Sequence, residues 1–359
     1  MTALDRLAEL YAARPDHVRA LGRPVVGVVG ADVPPELVEA AGAVAYRLHG
    51  SPDHVSPEAR EILGAALDPV AHSVLTRLLD GSLAFLTGVV VSRDSQASLQ
   101  LFYALRELRR LEPARGLPPV VLLDLLHLPT EHTARYDEAR LEQLAGTLAG
   151  WTGTEPTPDR LAAAVRSVAG VRALLRQISA ARCSGTAALH AVGVATALPS
   201  ADVVPLLEQL LAESAEVPGG RRVFLTGSGQ DTDELYRVLE GELGCLVAGE
   251  DHGWSAAALP ADPATPDLEG LARSYRDRGP AAPTASIADR AAVTAERVRD
   301  ARADLLLAVV REHDEAPAWD FPAQAAAVDV PAALLARQPY RIATDELQDA
   351  LAQPIGSRS

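Results

Sequence analysis

The chain has 359 residues, is 48% hydrophobic but only 4% aromatic, and carries a formal charge of −15 at pH 7. That length can bury two or three cores, which Ala, Leu and Val must fill, and the charge opposes nucleic acid and anionic membranes by repulsion. No run of about eighteen apolar residues offers a membrane span, and the sequence has no Lys and no Asn, so it lacks a side-chain amine for a Schiff base. The start, Met1-Thr-Ala-Leu-Asp-Arg-Leu-Ala-Glu-Leu, is charged and amphipathic rather than a signal peptide, which points to a cytoplasmic protein. Two cysteines, Cys183 and Cys245, are too few for a cysteine-only cluster or zinc site. Both read as small buried residues.

A helix is expected over residues 1–21. Strands then fit residues 25–29, 44–47, 83–91 and 120–124, alternating with helices at 34–41, 56–79, 95–111 and 130–148. Such alternation predicts a parallel sheet, here in a first α/β domain over 22–150. Asp94 or Ser95 suits the cap of the helix that follows. Residues 151–218 have helical periodicity almost throughout and read as a bridging region that ends at Pro218-Gly219-Gly220. A second α/β domain over 219–359 has strands at 223–225, 246–248, 305–310 and 332–335, loops over 259–266 and 279–284, and a frayed tail from Pro354. The predicted fold is α/β, with two Rossmann-like parallel-sheet units joined by a helical insert. Ligands collect beyond the carboxyl ends of such strands, so a cleft facing both sets of strand ends is expected.

Candidate site residues sit at those ends. Glu250, Asp251 and His252 follow an apolar strand, and a neighbouring carboxylate raises a histidine towards neutrality, which suits proton transfer. Thr226-Gly227-Ser228-Gly229 is expected to open a helix whose first turn carries Asp231, Asp233 and Glu234. Its amides could hold an anion, but it lacks the Lys of a Walker A loop and is not GxGxxG. A structural turn is the simpler reading. Arg93 either clamps a carboxylate or phosphate bidentately or lies on the surface beside a capping Asp94. His72 lies one turn after Asp68, and the two could join Asp94 and His252 around a divalent cation. That needs four residues from three segments to converge, capping and surface roles account for them more simply, and no metal is assigned. His313 follows the strand at 305–310 and can line the same cleft. Glu36 and Arg47 are expected to pair within the fold, and His190 to be a packed histidine.

Four motifs carry a family resemblance: residues 25–50 (VVGVVGADVPPELVEAAGAVAYRLHG), Asp68-Pro-Val-Ala-His-Ser73, Gly88-Val-Val-Val-Ser-Arg-Asp94 and Glu250-Asp-His-Gly253. In this order and spacing they resemble the 2-hydroxyacyl-CoA dehydratase D-component and benzoyl-CoA reductase subunit family. The resemblance implies two α/β halves around a cleft. It also implies a cysteine-held [4Fe-4S] cluster that takes an electron from an ATP-driven activator and reduces a thioester to a ketyl radical. It places the cluster cysteines at Asp68, Arg93 and Gly253, none of which is a thiolate. The expectation is a protein with no [4Fe-4S] cluster or other cofactor of its own. It would be a non-redox partner of a homologous subunit, in a hetero- or homodimer, lending His72, Ser73, Arg93, Asp94, Gly227, Ser228 and His313 to an acyl-CoA cleft. Two alternatives stand beside it: a redox-independent lyase or hydrolase acting on an acyl-CoA or small acid through His252 with Asp251 and Glu250, and a non-catalytic binding or scaffold protein. Whether the chain is itself an enzyme stays open.

Overall fold

The computed structural model describes residues 1–180, 183–213, 219–282 and 284–354. The expected end of the bridging region at 217–218, Pro283 of the expected loop and the tail beyond Pro354 lie outside the described residues. The fold is α/β, with two four-stranded, all-parallel sheets. The first holds β1 (Val25–Val29), β2 (Val44–Arg47), β3 (Gly88–Ser92) and β4 (Val120–Leu123) in the order β2-β1-β3-β4. The second holds β5 (Arg221–Gly227), β6 (Cys245–Glu250), β7 (Leu305–Arg311) and β8 (Ala332–Gln338) in the order β6-β5-β7-β8. The two halves therefore repeat one topology.

Each sheet is covered on both faces, which is why β3 and β7 are buried at every residue and read as continuous apolar runs. The two-residue strand period divides them between cores. Val25, Val89 and Val91 join Leu75 and Leu101 on one face, whereas Val26, Val28 and Val90 join Leu37, Leu141 and Val165 on the other. The first of these cores continues through Leu7, Tyr11, Leu189 and Val192 to Val223, Leu225, Leu307 and Val309 of the second sheet. The N-terminal helix (Ala3–Ala12) and the helix Gly185–Ala195 are thus part of the joint between the halves. Phe224, Leu306 and Ala308 face a third, smaller core. Among the described residues no helix is long and apolar enough to cross a membrane.

Several elements differ from the sequence reading, each for a local reason. The helix expected over 56–79 is two, Pro57–Leu63 and Pro69–Leu79. Gly64 leaves the helical region at φ 81°, and Asp68 caps the second helix by accepting from the Val70 amide at 2.9 Å. Pro15 starts a new helix, Arg14–Ala20, where one N-terminal helix was expected. The strand expected from 83 begins only at Gly88. After β5 the helix starts at Glu234, so Asp231 lies in the preceding loop. Cys183 sits between helices, its thiol donating to the Ile178 carbonyl at 3.1 Å.

Candidate functional site

In both sheets the chain leaves the first strand in one direction and returns beyond it on the other side, so β1/β3 and β5/β7 are switch points where a crevice opens. Glycine ends or follows the first strand in each. Gly30 has φ 91°, and a Cβ there would collide with the Ser92 hydroxyl and the Asp94 carboxylate. Gly227 has φ 109°, and a Cβ there would strike the Val309 carbonyl. A half-buried carboxylate braces each crevice, and the missing Cβ at Gly30 makes room for the first of them. Asp94 accepts from the Ala31 amide at 2.7 Å and the Ser98 hydroxyl at 3.1 Å. Asp314 accepts from the Ser228 hydroxyl at 2.6 Å. Burial pushes both carboxyls above the usual range, with Asp32 adding to the effect at Asp94.

The crevices face each other across one cleft of about 760 Å3, with walls from both halves. Of the sequence candidates, Asp68, Asp94, Gly227, Asp251, His252, Gly253 and His313 line it. His313 does so in the left-handed region, at φ 68°. Glu250, His72, Ser73, Arg93 and Ser228 are not among the wall residues, which corrects the reading of the last four as cleft-binding. His72 is buried with Nε2 on the Gly64 carbonyl at 2.8 Å and makes no pair with Asp68. Ser73 is bound to Ser51, accepting from its amide at 2.8 Å. Ser228 braces β7, accepting from the Arg311 amide at 2.9 Å. Arg93 is half exposed and pairs with Asp124 at 3.0 Å on the surface.

Arginine meets both of the remaining positions where the resemblance places cluster cysteines. Asp68 receives Arg311 from the opposite half, with Nη2 at 3.1 Å and Nε at 3.2 Å. The same guanidinium donates to the Gly229 carbonyl. At Gly253 only the carbonyl remains, and it accepts from Arg47 Nη2 at 2.8 Å. Arg47 also lies over the Trp254 ring, 4.0 Å from its centre. Burial lowers the Arg47 pKa to about 10, and its guanidinium makes no ion pair among the described residues. The expected Glu36–Arg47 pair does not form: Glu36 is held by Arg172 at 2.6 Å, both nearly sealed from solvent.

The acidic tip of β6 is divided between two networks. Asp251 turns to the Thr294 hydroxyl at 2.6 Å, and burial raises its carboxyl. His252 turns the other way. The Trp254 amide donates to its Nδ1 at 3.2 Å, which places the ring proton on Nε2. Nε2 then donates to the Tyr236 oxygen at 2.6 Å, and the Tyr236 hydroxyl donates to Glu250. Both ring nitrogens are engaged within the fold, and Asp251 is not the partner. His190 is packed as expected, stacked on Tyr11 at 4.1 Å and bonded to Asp233 at 3.0 Å.

The donor set does not suit an iron–sulfur cluster, which needs soft anionic ligands. Cys245 opens β6 at the end away from the cleft and Cys183 lies outside the wall; burial raises both thiols, Cys183 to about 11. Asp68, Asp94, His72 and His252 each have a separate partner, and no group of three or more metal-binding side chains gathers among the described residues. Arg311, Arg278 (on Asp32 at 2.6 Å), Arg297, Thr294 and Trp254 are wall residues that the sequence reading did not select. Arg311 had a visible signal: it is the one charged residue of an otherwise apolar strand, at its carboxyl end.

A family model described as 2-hydroxyglutaryl-CoA dehydratase, D-component, matches residues 31–312. No curated protein matches the chain.

Proposed function

The chain belongs to the 2-hydroxyglutaryl-CoA dehydratase D-component family, and on that footing we propose that it is a subunit without a cluster of its own. It supplies an arginine-lined acyl-CoA cleft to an assembly with a cysteine-bearing homologous subunit. The observation that carries this reading is the Asp68–Arg311 pair: a carboxylate stands where the family pattern places a thiolate, and a cation from the opposite half is bound to it. A guanidinium repels iron and attracts carboxylate, phosphate and carbonyl oxygen. Arg47 and Arg297 extend the same character along the cleft, against a chain whose net charge of −15 would otherwise repel a polyanionic thioester. A lyase built on His252 and Asp251 has less support, because the histidine's two nitrogens are committed to Trp254 and Tyr236.

The test is anaerobic purification of the untagged chain alone and from its native host. The expected results are no stoichiometric iron or sulfide in the isolated chain, and recovery from the host with a homologous, cysteine-bearing partner. Oxygen-sensitive iron and sulfide in the isolated chain, or turnover of an acyl-CoA by it alone, would overturn the reading.

A further inference from the structure

A second cavity, of about 90 Å3, lies beside the main cleft between β1, β2, the helix Pro158–Ala180 and the loop after β6. Its walls are largely apolar, built from Val28, Val33, Val168, Val171, Leu175 and Leu198. Most polar groups at its edges already have partners: Arg172 Nη2 holds Glu36 at 2.6 Å and the Tyr275 hydroxyl at 2.8 Å, and Glu39 accepts from the Ser200 hydroxyl at 2.6 Å, whereas Arg172 Nη1 is buried with no hydrogen-bond partner. Since about 10–15 Å3 of such space holds one water, the cavity has room for several methylene-sized groups. Its lining offers an apolar guest more than it offers water.

Five residues belong to the walls of both cavities: Gly30, Ala31, Arg47, Gly253 and Ala258. Four of them carry a methyl group or nothing. The partition is therefore essentially the Arg47 side chain, clamped by the Gly253 carbonyl and the Trp254 ring. One guanidinium N–H is spent on Gly253, which leaves donors for an oxygen at the mouth of the cavity.

We propose that this cavity receives a short aliphatic acyl chain entering from the main cleft, with the carbonyl or carboxylate oxygen of that acyl group at Arg47. The inference rests on the acyl-CoA reading only for the identity of the carrier, because a free fatty acid has the same chain and the same oxygen. The chain-length selectivity belongs to the cavity itself. Each buried methylene strengthens binding by about fourfold until the space is full.

The experiment is calorimetric titration of the full chain with CoA, acetyl-CoA, butyryl-CoA and hexanoyl-CoA, and separately with butyrate and hexanoate. Val171→Phe fills the cavity, and Val168→Leu is a milder filling for use if the first variant does not fold. The expected result is affinity rising along the thioester series, with the rise abolished in the filled variants while CoA itself binds as before. Thioesters that bind without dependence on chain length overturn the inference and leave the acyl-CoA cleft standing. Hexanoate favoured over butyrate, with no CoA species bound, upholds the cavity and rejects CoA as the carrier. A chain-length dependence that persists in the filled variants overturns the inference, as does absence of binding in both series.

Discussion

Arg311, which closes β7, and Asp68, which caps the helix Pro69–Leu79, are 243 residues apart in sequence and 3.1 Å apart in space. The pair bolts one half of the molecule to the other across the cleft. Its side chains are only 9% and 15% exposed, so losing either partner strands a charge that has already given up its water.

Arg311→Met and Asp68→Asn should each lower unfolding free energy by roughly 3 kcal/mol, read from urea denaturation. The double variant should lose clearly less than the sum of the two, because the residues share one interaction. Additive losses would mean that the pair does not hold the halves together.

Tyr236→Phe removes the hydroxyl between His252 and Glu250 and should cost about 1–3 kcal/mol, since both buried partners lose a bond. Burial, followed by the Glu250 charge, holds the Tyr236 hydroxyl well above its ordinary pKa of 10.0. The folded state therefore keeps a proton that the unfolded chain releases above about pH 10, and stability falls as pH rises from there. The fall should be shallower in Tyr236→Phe than in the parent, and equal slopes would place the ionisation elsewhere.

Asp137 is sealed from solvent, with one carboxylate oxygen on the Leu126 amide at 2.8 Å and the other without a partner. Burial raises its carboxyl from 3.8 to about 6. The folded form binds this proton more tightly, so the stability it confers is complete below pH 3.8 and is lost as pH rises through about 6. Asp137→Asn has no such loss. Its stability relative to the parent should climb across that window, and carbon-13 NMR should find the parent carboxyl titrating near 6; a midpoint near 4 would contradict the burial argument.

Glu36 and Arg172 form a nearly fully buried pair that ties the helix Pro35–Ala40 to the helix Pro158–Ala180. A double-mutant cycle on Glu36 and Arg172 should give a coupling of about 1–3 kcal/mol, whereas a cycle on Glu36 and Arg47 should give almost none. The reverse result would restore the pairing that the linear sequence suggested.

Much of the fold was legible because the signals are local. Runs such as Val25–Val29 and Leu305–Arg311 suit strands buried on both faces, and their alternation with amphipathic helices favours a parallel sheet. The break at Gly64 was less visible, since the apolar period continues through it. The site was legible in its location but not in its pairings. Asp68 and Gly253 stand out in the sequence as positions where the resemblance places cluster cysteines, but their arginine partners come from residues 243 and 206 positions away. No periodicity reports a contact of that span.

What the amino-acid sequence determined alone was the α/β architecture, the absence of thiolates at three motif positions and the net charge, because each follows from residue type and near neighbours. Only the tertiary structure decided that His252 faces Tyr236 rather than Asp251, that Glu36 takes Arg172, and that Arg47 stands between two cavities. Those outcomes depend on which side chains the packing of distant elements brings within hydrogen-bonding reach, and that distance is a property of the packed molecule.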